Sequence, residues 1–405
     1  MLRRHARRLP DLPLRWLRLL DFATEGGLAM ARRQEQEAAR SEVTEVAPDV
    51  LRMELPIRMP GLGHVNCYAI LDRDGATVVD PGMPGPATWK AIQERLKQAG
   101  LAPRHVHTVV ITHSHPDHFG CAMRFARESG AKIVAHHKFS FGPPQAAEPE
   151  VSAEDLAADP RHASHGHAHA NEPEGADADE SSDDREARVE QATRFVAAGQ
   201  TPWGGERPRP PLRIKLKWMA LRWLGQSIVP VVTHPVDHGD VLMLANREWF
   251  VVHTPGHTQD HFCLHDPESG IFLAGDHVLP TITPHISGIS ASPDPLATFF
   301  YSLDRVGEID DVEQVLPAHG HPFHDLRARC EAIKRHHDER LDKVKEIGRE
   351  LGPAAVAEFS KRLFKPRSWG AMAESETYAH LEHLRVAGDA AARRGPDGKL
   401  IYETG

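Results

Sequence analysis

A mixed α/β fold with a helical C-terminal region is what the 405-residue sequence predicts, and three observations predict it. Between residues 43 and 139, short β-branched runs interleave with an amphipathic helical segment. From 231 to 320 a second series of short apolar strands follows, punctuated by glycine and proline. Past about 327 the pattern becomes helical and closes on a hairpin signature. At roughly 100–200 residues per domain, this length accommodates two or three domains.

The elements can be justified in order. Residues 1–42 carry nine arginines and several leucines. Asp11, Asp21 and Glu25 interrupt the run, so no clean apolar core of a leader peptide forms, and a flexible basic extension is expected. VLRMELPI (50–57), NCYAILD (66–72) and ATVVD (76–80) alternate or are β-branched, and Asp72-Arg73-Asp74-Gly75 supplies a turn. PATWKAIQERLKQA (86–99) has a helical apolar period, proline near its start and Gly100 after its end. HVHTVVITH (105–113) reads as a buried strand, followed by a helix from about Phe119 and the strand AKIVAH (131–136).

Residues 142–230 interrupt this rhythm as an insertion. Over 148–190, fourteen acidic residues stand against three arginines, which accounts for the whole net charge of −9. Too little apolar surface exists there to offset the entropy of ordering. The tract His162, His165, His167 and His169 has a composition that chelates metals. Residues 212–224 (LRIKLKWMALRWL) interleave apolar and basic side chains; a wall of a substrate site, a membrane-surface contact and an element packed on the main domain all remain open.

Strand signals resume at VVTHPV (231–236), VLMLA (241–245), REWFVVHT (247–254), HFCLHD (261–266), GIFLAGD (270–276) and VEQVLPAHG (312–320). A long amphipathic helix then runs from about 327 toward Gly352-Pro353. Two shorter helices are expected near 354–363 and 372–387, then a hairpin around Gly395-Pro396-Asp397-Gly398. Three helices with a small hairpin outline a winged helix over 326–405, leaving 43–325 as the main domain.

Composition excludes several classes. Four cysteines lie far apart with no CxxC pair, which excludes a disulfide scaffold and a thiolate zinc ribbon and favours a reducing, cytoplasmic setting. No apolar run approaches the ~18 residues of a membrane span. No nucleophile elbow, P-loop or dinucleotide fingerprint is present, and Gly61-Leu62-Gly63 lacks the third glycine. In contrast, 28 histidines are many, and imidazole is the commonest metal ligand.

The chemistry concentrates in Thr112-His113-Ser114-His115-Pro116-Asp117-His118, where a buried strand ends and a helix begins. His257, Asp276 and His319 each stand just past another apolar strand. Five histidines and two aspartates at the strand ends of one sheet system make a ligand set for two divalent metals sharing a carboxylate. Imidazole and carboxylate without thiolate suit Zn²⁺, with Fe²⁺ or Mn²⁺ as alternatives.

On these motifs, together with Val79-Asp80-Pro81-Gly82, the chain resembles the metallo-β-lactamase superfamily over about 45–140 and 232–325. The resemblance implies an αββα sandwich with metals at one edge. It implies one metal on His113, His115 and His257 and another on Asp117, His118 and His319, with Asp276 bridging them. Asp80 would support the ligand loop; Thr258 and His261 are further supporting candidates beside His257. The first motif carries histidine where flavodiiron relatives carry glutamate, so the resemblance makes a redox di-iron role the less favoured one. The tail looks like the winged-helix appendage of the β-lactamase-like hydrolase branch, which includes glyoxalase II-like enzymes and endoribonucleases.

The expected activity is hydrolysis by a metal-bridging hydroxide of an ester, thioester or lactone-type acyl substrate, with Asp117 and Asp276 as the catalytic carboxylates. His261, His277, His285 and His321 are candidate proton donors or partners of the ligands. The alternative is a metal-dependent endoribonuclease or phosphodiesterase using the tail's Lys361, Arg362, Lys365, Arg367, Arg385, Arg393, Arg394 and Lys399. Glu374, Glu376 and Glu382 dilute that charge and no aromatic stacking platform is evident, so a small-molecule partner is favoured over nucleic acid. A homodimer through the tail is left open.

Overall fold

The computed structural model describes residues 33–141, 199–205, 216, 228–290 and 292–405. The basic extension up to residue 32, the acidic and histidine-rich tract and all of 212–224 except Leu216 lie outside the described residues.

Two sheets form the centre. The first has seven strands in the order β1 (Val43–Ala47), β2 (Val50–Met59), β3 (Leu62–Leu71), β4 (Ala76–Val79), β5 (Val106–Val110), β6 (Lys132–His136) and β7 (His234–Val236). Pairing is antiparallel from β1 to β4 and parallel from β4 to β7. The second sheet runs β12 (Gln314–Pro317), β11 (Ile271–Gly275), β10 (Phe262–Asp266), β9 (Arg247–His253) and β8 (Val241–Leu244), with β11 and β12 parallel.

Period-two alternation assigns each strand's side chains to one of three apolar layers. Val79, Val110, Val134, Val251, Leu264 and Leu273 meet between the sheets. Their neighbours Val78, Val109 and Ile133 face outward onto α1 (Pro86–Gln98) and onto Phe125 of α3 (Ala122–Ser129), which follows the single turn α2 (Pro116–Phe119). On the other side Val252, Cys263 and Phe272 pack against α4 (Pro295–Gly307) and α5 (Leu326–Leu351). Helix, sheet, sheet and helix are therefore stacked in the order that the resemblance implies.

The tail continues as α6 (Val356–Leu363) and α7 (Ala371–Val386), with a small sheet β13–β15–β14 built from β13 (Ala354–Ala355), β14 (Ala390–Arg394) and β15 (Leu400–Thr404). Fully buried Tyr402 anchors that sheet, its hydroxyl donating to Glu382. Arg33–Gly405 forms one compact unit. Three strands and helices were not read from the sequence: β1, α4 between Asp276 and the strand at 314–317, and the two-residue β13, which takes the first positions of the helix expected at 354–363. No described helix is long and apolar enough to cross a membrane, and all four cysteines are buried and free.

Candidate metal centre

The parallel strands put their C-terminal ends at one edge, so the segments after β4 and β5 emerge side by side, with those after β9, β11 and β12 facing them. Two groups of side chains converge there. The donor atoms of His113, His115, His257 and Asp276 lie within 4.8 Å of one another, as do those of Asp117, His118 and His319. Asp276 faces both groups: Oδ2 is 3.6 Å from His257 Nε2 and 3.6 Å from His118 Nε2, while Oδ1 is 3.4 Å from His319 Nε2. Asp117 Oδ2 is 3.6 Å from His118 Nε2 and 3.5 Å from His319 Nε2. All seven sequence-expected ligand positions are thus brought together.

Hydrogen bonds decide which nitrogen each ring offers. His118 Nδ1–H donates to Asp80 Oδ2 at 2.9 Å, His319 Nδ1–H to the carbonyl of His64 at 2.7 Å, and His257 Nδ1–H to the carbonyl of His285 at 2.7 Å. His113 Nδ1 is 3.1 Å from the hydroxyl of Thr112, which itself donates to Asp80 Oδ2 at 2.8 Å, so the ring nitrogen is the donor. Each of these four rings keeps Nε2 as a lone pair turned into the site. His115 enters the other way round, with Nδ1 3.0 Å from both His113 Nε2 and His257 Nε2.

The buried atoms His118 Nε2, His319 Nε2 and Asp276 Oδ1 have no hydrogen-bond partner within the protein. Orphaned acceptors at this depth are costly unless something electropositive meets them, and a divalent cation does so for all three together. Burial holds the His113, His115 and His257 pKa values down, keeping these rings neutral as ligands must be. Burial also opposes charge on His118, but Asp276, Asp80 and Asp117 outweigh it and draw its pKa well up. The same negative potential attracts a cation. The residues fit a pair of divalent metals.

Of the expected supporting residues, Asp80 also takes the backbone N–H of Thr112 on Oδ1 at 2.9 Å, tying the ligand loop to the end of β4. His261 is not within the donor groups; its Nε2 accepts from the backbone N–H of Asp276 at 3.0 Å and its Nδ1 meets the Thr254 hydroxyl at 2.7 Å. Thr258 lies outside both donor groups, its hydroxyl turned to the buried Asp260 carboxyl. His277 packs against Phe299, ring centroids 5.1 Å apart, and His321 pairs with Glu37 at 3.0 Å, so neither meets the donor groups. Sequence reading missed Thr112, His64 and the pair Ser114–Asp260, in which Ser114 Oγ donates to Asp260 Oδ1 at 3.0 Å. Burial pushes the Asp260 carboxyl up to about 7. Thr112 and Ser114 adjoin ligands in sequence; His64 carries no such signal, because it acts through its backbone.

A third cluster differs. His136, His137 and Asp237 also have donor atoms within 4.8 Å. However, the Lys138 N–H donates to His136 Nδ1 at 3.2 Å, which leaves the ring proton on Nε2, facing Asp237 Oδ1 at 3.4 Å. That ring presents an N–H instead of a lone pair, so the cluster is a histidine–aspartate pairing.

A family model described as the metallo-beta-lactamase superfamily matches residues 60–326. The probable metallo-hydrolase YqjP of Bacillus subtilis is 24% identical over 371 residues, covering 87% of this chain and 97% of that protein. The acyl-coenzyme A thioesterase MBLAC2 of Homo sapiens is 32% identical over 109 residues, 26% of this chain and 37% of that protein. Among solved structures, a metallo-beta-lactamase family protein of Thermus thermophilus superposes with a TM-score of 0.65 at 26% identity, covering 89% of this chain and 100% of that one.

Proposed function

The chain belongs to the metallo-β-lactamase superfamily as a metallo-hydrolase, and from that premise we propose that it hydrolyses small acyl substrates, thioesters foremost, at a two-zinc centre. The observation that carries this reading is Asp276, which faces two donor groups at once. His113, His115 and His257 would hold one cation, Asp117, His118 and His319 the other, and Asp276 both. When bound, the cations supply Lewis acidity and a nucleophile active at neutral pH. Zinc suits a donor set of imidazoles and carboxylates with no thiolate.

The protein's own share is orientation and exclusion of water. Asp80, the His64 carbonyl and the His285 carbonyl fix three rings through their Nδ1 atoms. We assign Asp117 to hold the proton of the attacking water and Asp276 to keep the two halves in register.

Acyl chemistry is supported by the match to a thioesterase over 109 residues. Charge in the tail supports it too. Arg362 pairs with Glu350, Arg385 with Glu382 and Lys399 with Asp397, so three of the cations that a phosphate backbone would need are already engaged. The order of three helices and a terminal hairpin supports a winged-helix-like unit over 326–405 appended to the hydrolase domain at 43–325, and free, buried cysteines support a cytoplasmic setting.

The test is elemental analysis beside a panel of a thioester, a lactone and a short fluorescent RNA. About two zinc ions per chain with thioester turnover and intact RNA is the expected result. Asp276→Ala and His257→Ala should each abolish turnover and lower the metal content. RNA cleavage that disappears in Asp276→Ala would replace the acyl reading with phosphodiester hydrolysis.

A further inference from the structure

Segments from both sides of the family match meet on one loop beside the centre, residues 279–289. From the N-terminal side, the buried carboxylate of Glu35 accepts from the backbone N–H of Thr281 at 2.8 Å and of Ile282 at 3.2 Å, and from the Thr281 hydroxyl. From the C-terminal side, Arg329 on α5 donates to the carbonyls of Leu279 at 2.6 Å and Ile282 at 2.7 Å. Ser375 Oγ on α7 accepts from the Gly288 N–H at 3.0 Å. Its neighbour Glu376 places Oε2 3.4 Å from His285 Nδ1, while its other oxygen pairs with Arg340. The contact is close enough to demand glycine: a Cβ on Gly288 would lie 2.5 Å from Tyr378 and 2.6 Å from the Ser375 carbonyl.

His285, in the middle of this loop, lends its carbonyl to His257 Nδ1. His118 rests instead on Asp80, His319 on His64 and His113 on Thr112. Of those four rings, His257 alone takes its support from a loop that the tail holds.

We infer that Ser375 and Glu376 of the tail, with Glu35 opposite them, are positioning residues for His257: they fix the 279–289 loop so that the His285 carbonyl holds the His257 ring with Nε2 turned into the site. This rests on the ligand reading above. It divides the two metals. The group that includes His257 depends on the tail, and the group of Asp117, His118 and His319 does not.

Zinc affinity, read by competition with a chromogenic chelator on the full chain, tests it. In the double variant Ser375→Ala/Glu376→Ala one of two zinc ions should bind ~10-fold or more weakly, the usual cost of losing a group that orients a ligand. The second should bind as in the wild type. Glu376→Gln, which keeps an acceptor toward His285, should restore most of the affinity. Ser375→Ala alone, losing one hydrogen bond, should cost about fivefold and serves if the double variant fails to fold. Both ions bound as tightly as in the wild type overturns the inference, and so does equal weakening of both, which marks the tail as mere scaffold. His257→Ala is the control: it should lose one zinc, and if it keeps both, the ligand reading itself fails whatever the tail variants do.

Discussion

Asp80 shows what a single residue contributes to this centre. Its φ of 52° lies in the left-handed region, which for an aspartate costs about 1–3 kcal/mol and persists only where the surroundings insist on it. The surroundings do so through three hydrogen bonds: the Thr112 N–H on Oδ1, and the Thr112 hydroxyl and His118 Nδ1–H on Oδ2. Through Thr112 it also reaches His113, so one carboxylate orients a ring in each donor group. Asp80→Asn keeps the volume but replaces one acceptor by a donor. Zinc titration of this variant should show both ions weakened, by ~10–100-fold at the His118 group. Wild-type affinity at both would mean that the loop holds its rings unaided. Asp80 stands out in the sequence at a Val-Val-Asp-Pro-Gly strand end, as do the seven candidate ligands that the fold gathers at one edge. Residues that act through backbone carbonyls, His64 and His285, leave no such trace, since any side chain supplies the same oxygen. The orientation of His115 was equally invisible, because spacing does not say which ring nitrogen turns inward.

At the scale of elements, the strand ends were legible because alternation and β-branching mark them, whereas the helix that braces one of them was not. In α4, Phe299, Phe300 and Tyr301 adjoin one another, and such a run fits strand as well as helix. Its N-terminus is nevertheless well defined: the Asp294 side chain accepts from the Ala297 N–H, with proline following. Once formed, α4 lies directly under the loop that carries His257. Ser302 Oγ donates to the Pro255 carbonyl at 2.7 Å and Arg305 to the His253 carbonyl at 3.1 Å. Gly256 makes this approach possible. Its φ is 132°, and a Cβ there would lie 2.6 Å from both Cα and Cβ of Phe299. Gly256→Ala should therefore push loop and helix apart, costing on the order of 1–3 kcal/mol from overpacking alone. A thermal melt should show a lower midpoint and turnover should fall with it, because His257 moves with the loop. An unchanged midpoint would show that α4 yields freely and does not brace the site.

Taken as a whole, the molecule keeps its polar chemistry at one sheet edge and still buries histidines elsewhere, which gives it a pH dependence separate from the candidate metal centre. His337 on α5 is fully buried against Phe299 and Phe300. Its partner on α7 is His380, whose Nδ1–H donates to the Glu376 carbonyl at 2.7 Å, so His380 Nε2 accepts from His337 Nδ1–H at 3.1 Å. That arrangement needs His380 neutral, and the buried His337 Nε2, which has no hydrogen-bond partner, offers a second proton nothing to meet. Burial, with the neighbouring His380 and Arg340 adding to it, pushes the His337 pKa down to about 2. Burial likewise drives that of His380 well down. As pH falls below the ordinary histidine value near 6.5, the unfolded chain takes up protons that these rings refuse in the fold, so stability is lost on acidification and is fully present above that value. His118 and His319 are drawn up by their carboxylates and act in the opposite sense when no cation replaces the proton. The contribution of the α5–α7 pair is therefore isolated by difference. Melting midpoints of the wild type and of His337→Gln, whose amide can still donate to His380, should be compared at pH 7.5 and 5.5. The wild type should lose more stability across that interval, because the variant has one fewer buried base to protonate. Parallel losses would place the acid sensitivity elsewhere and show that the α5–α7 contact opens to water before His337 is charged.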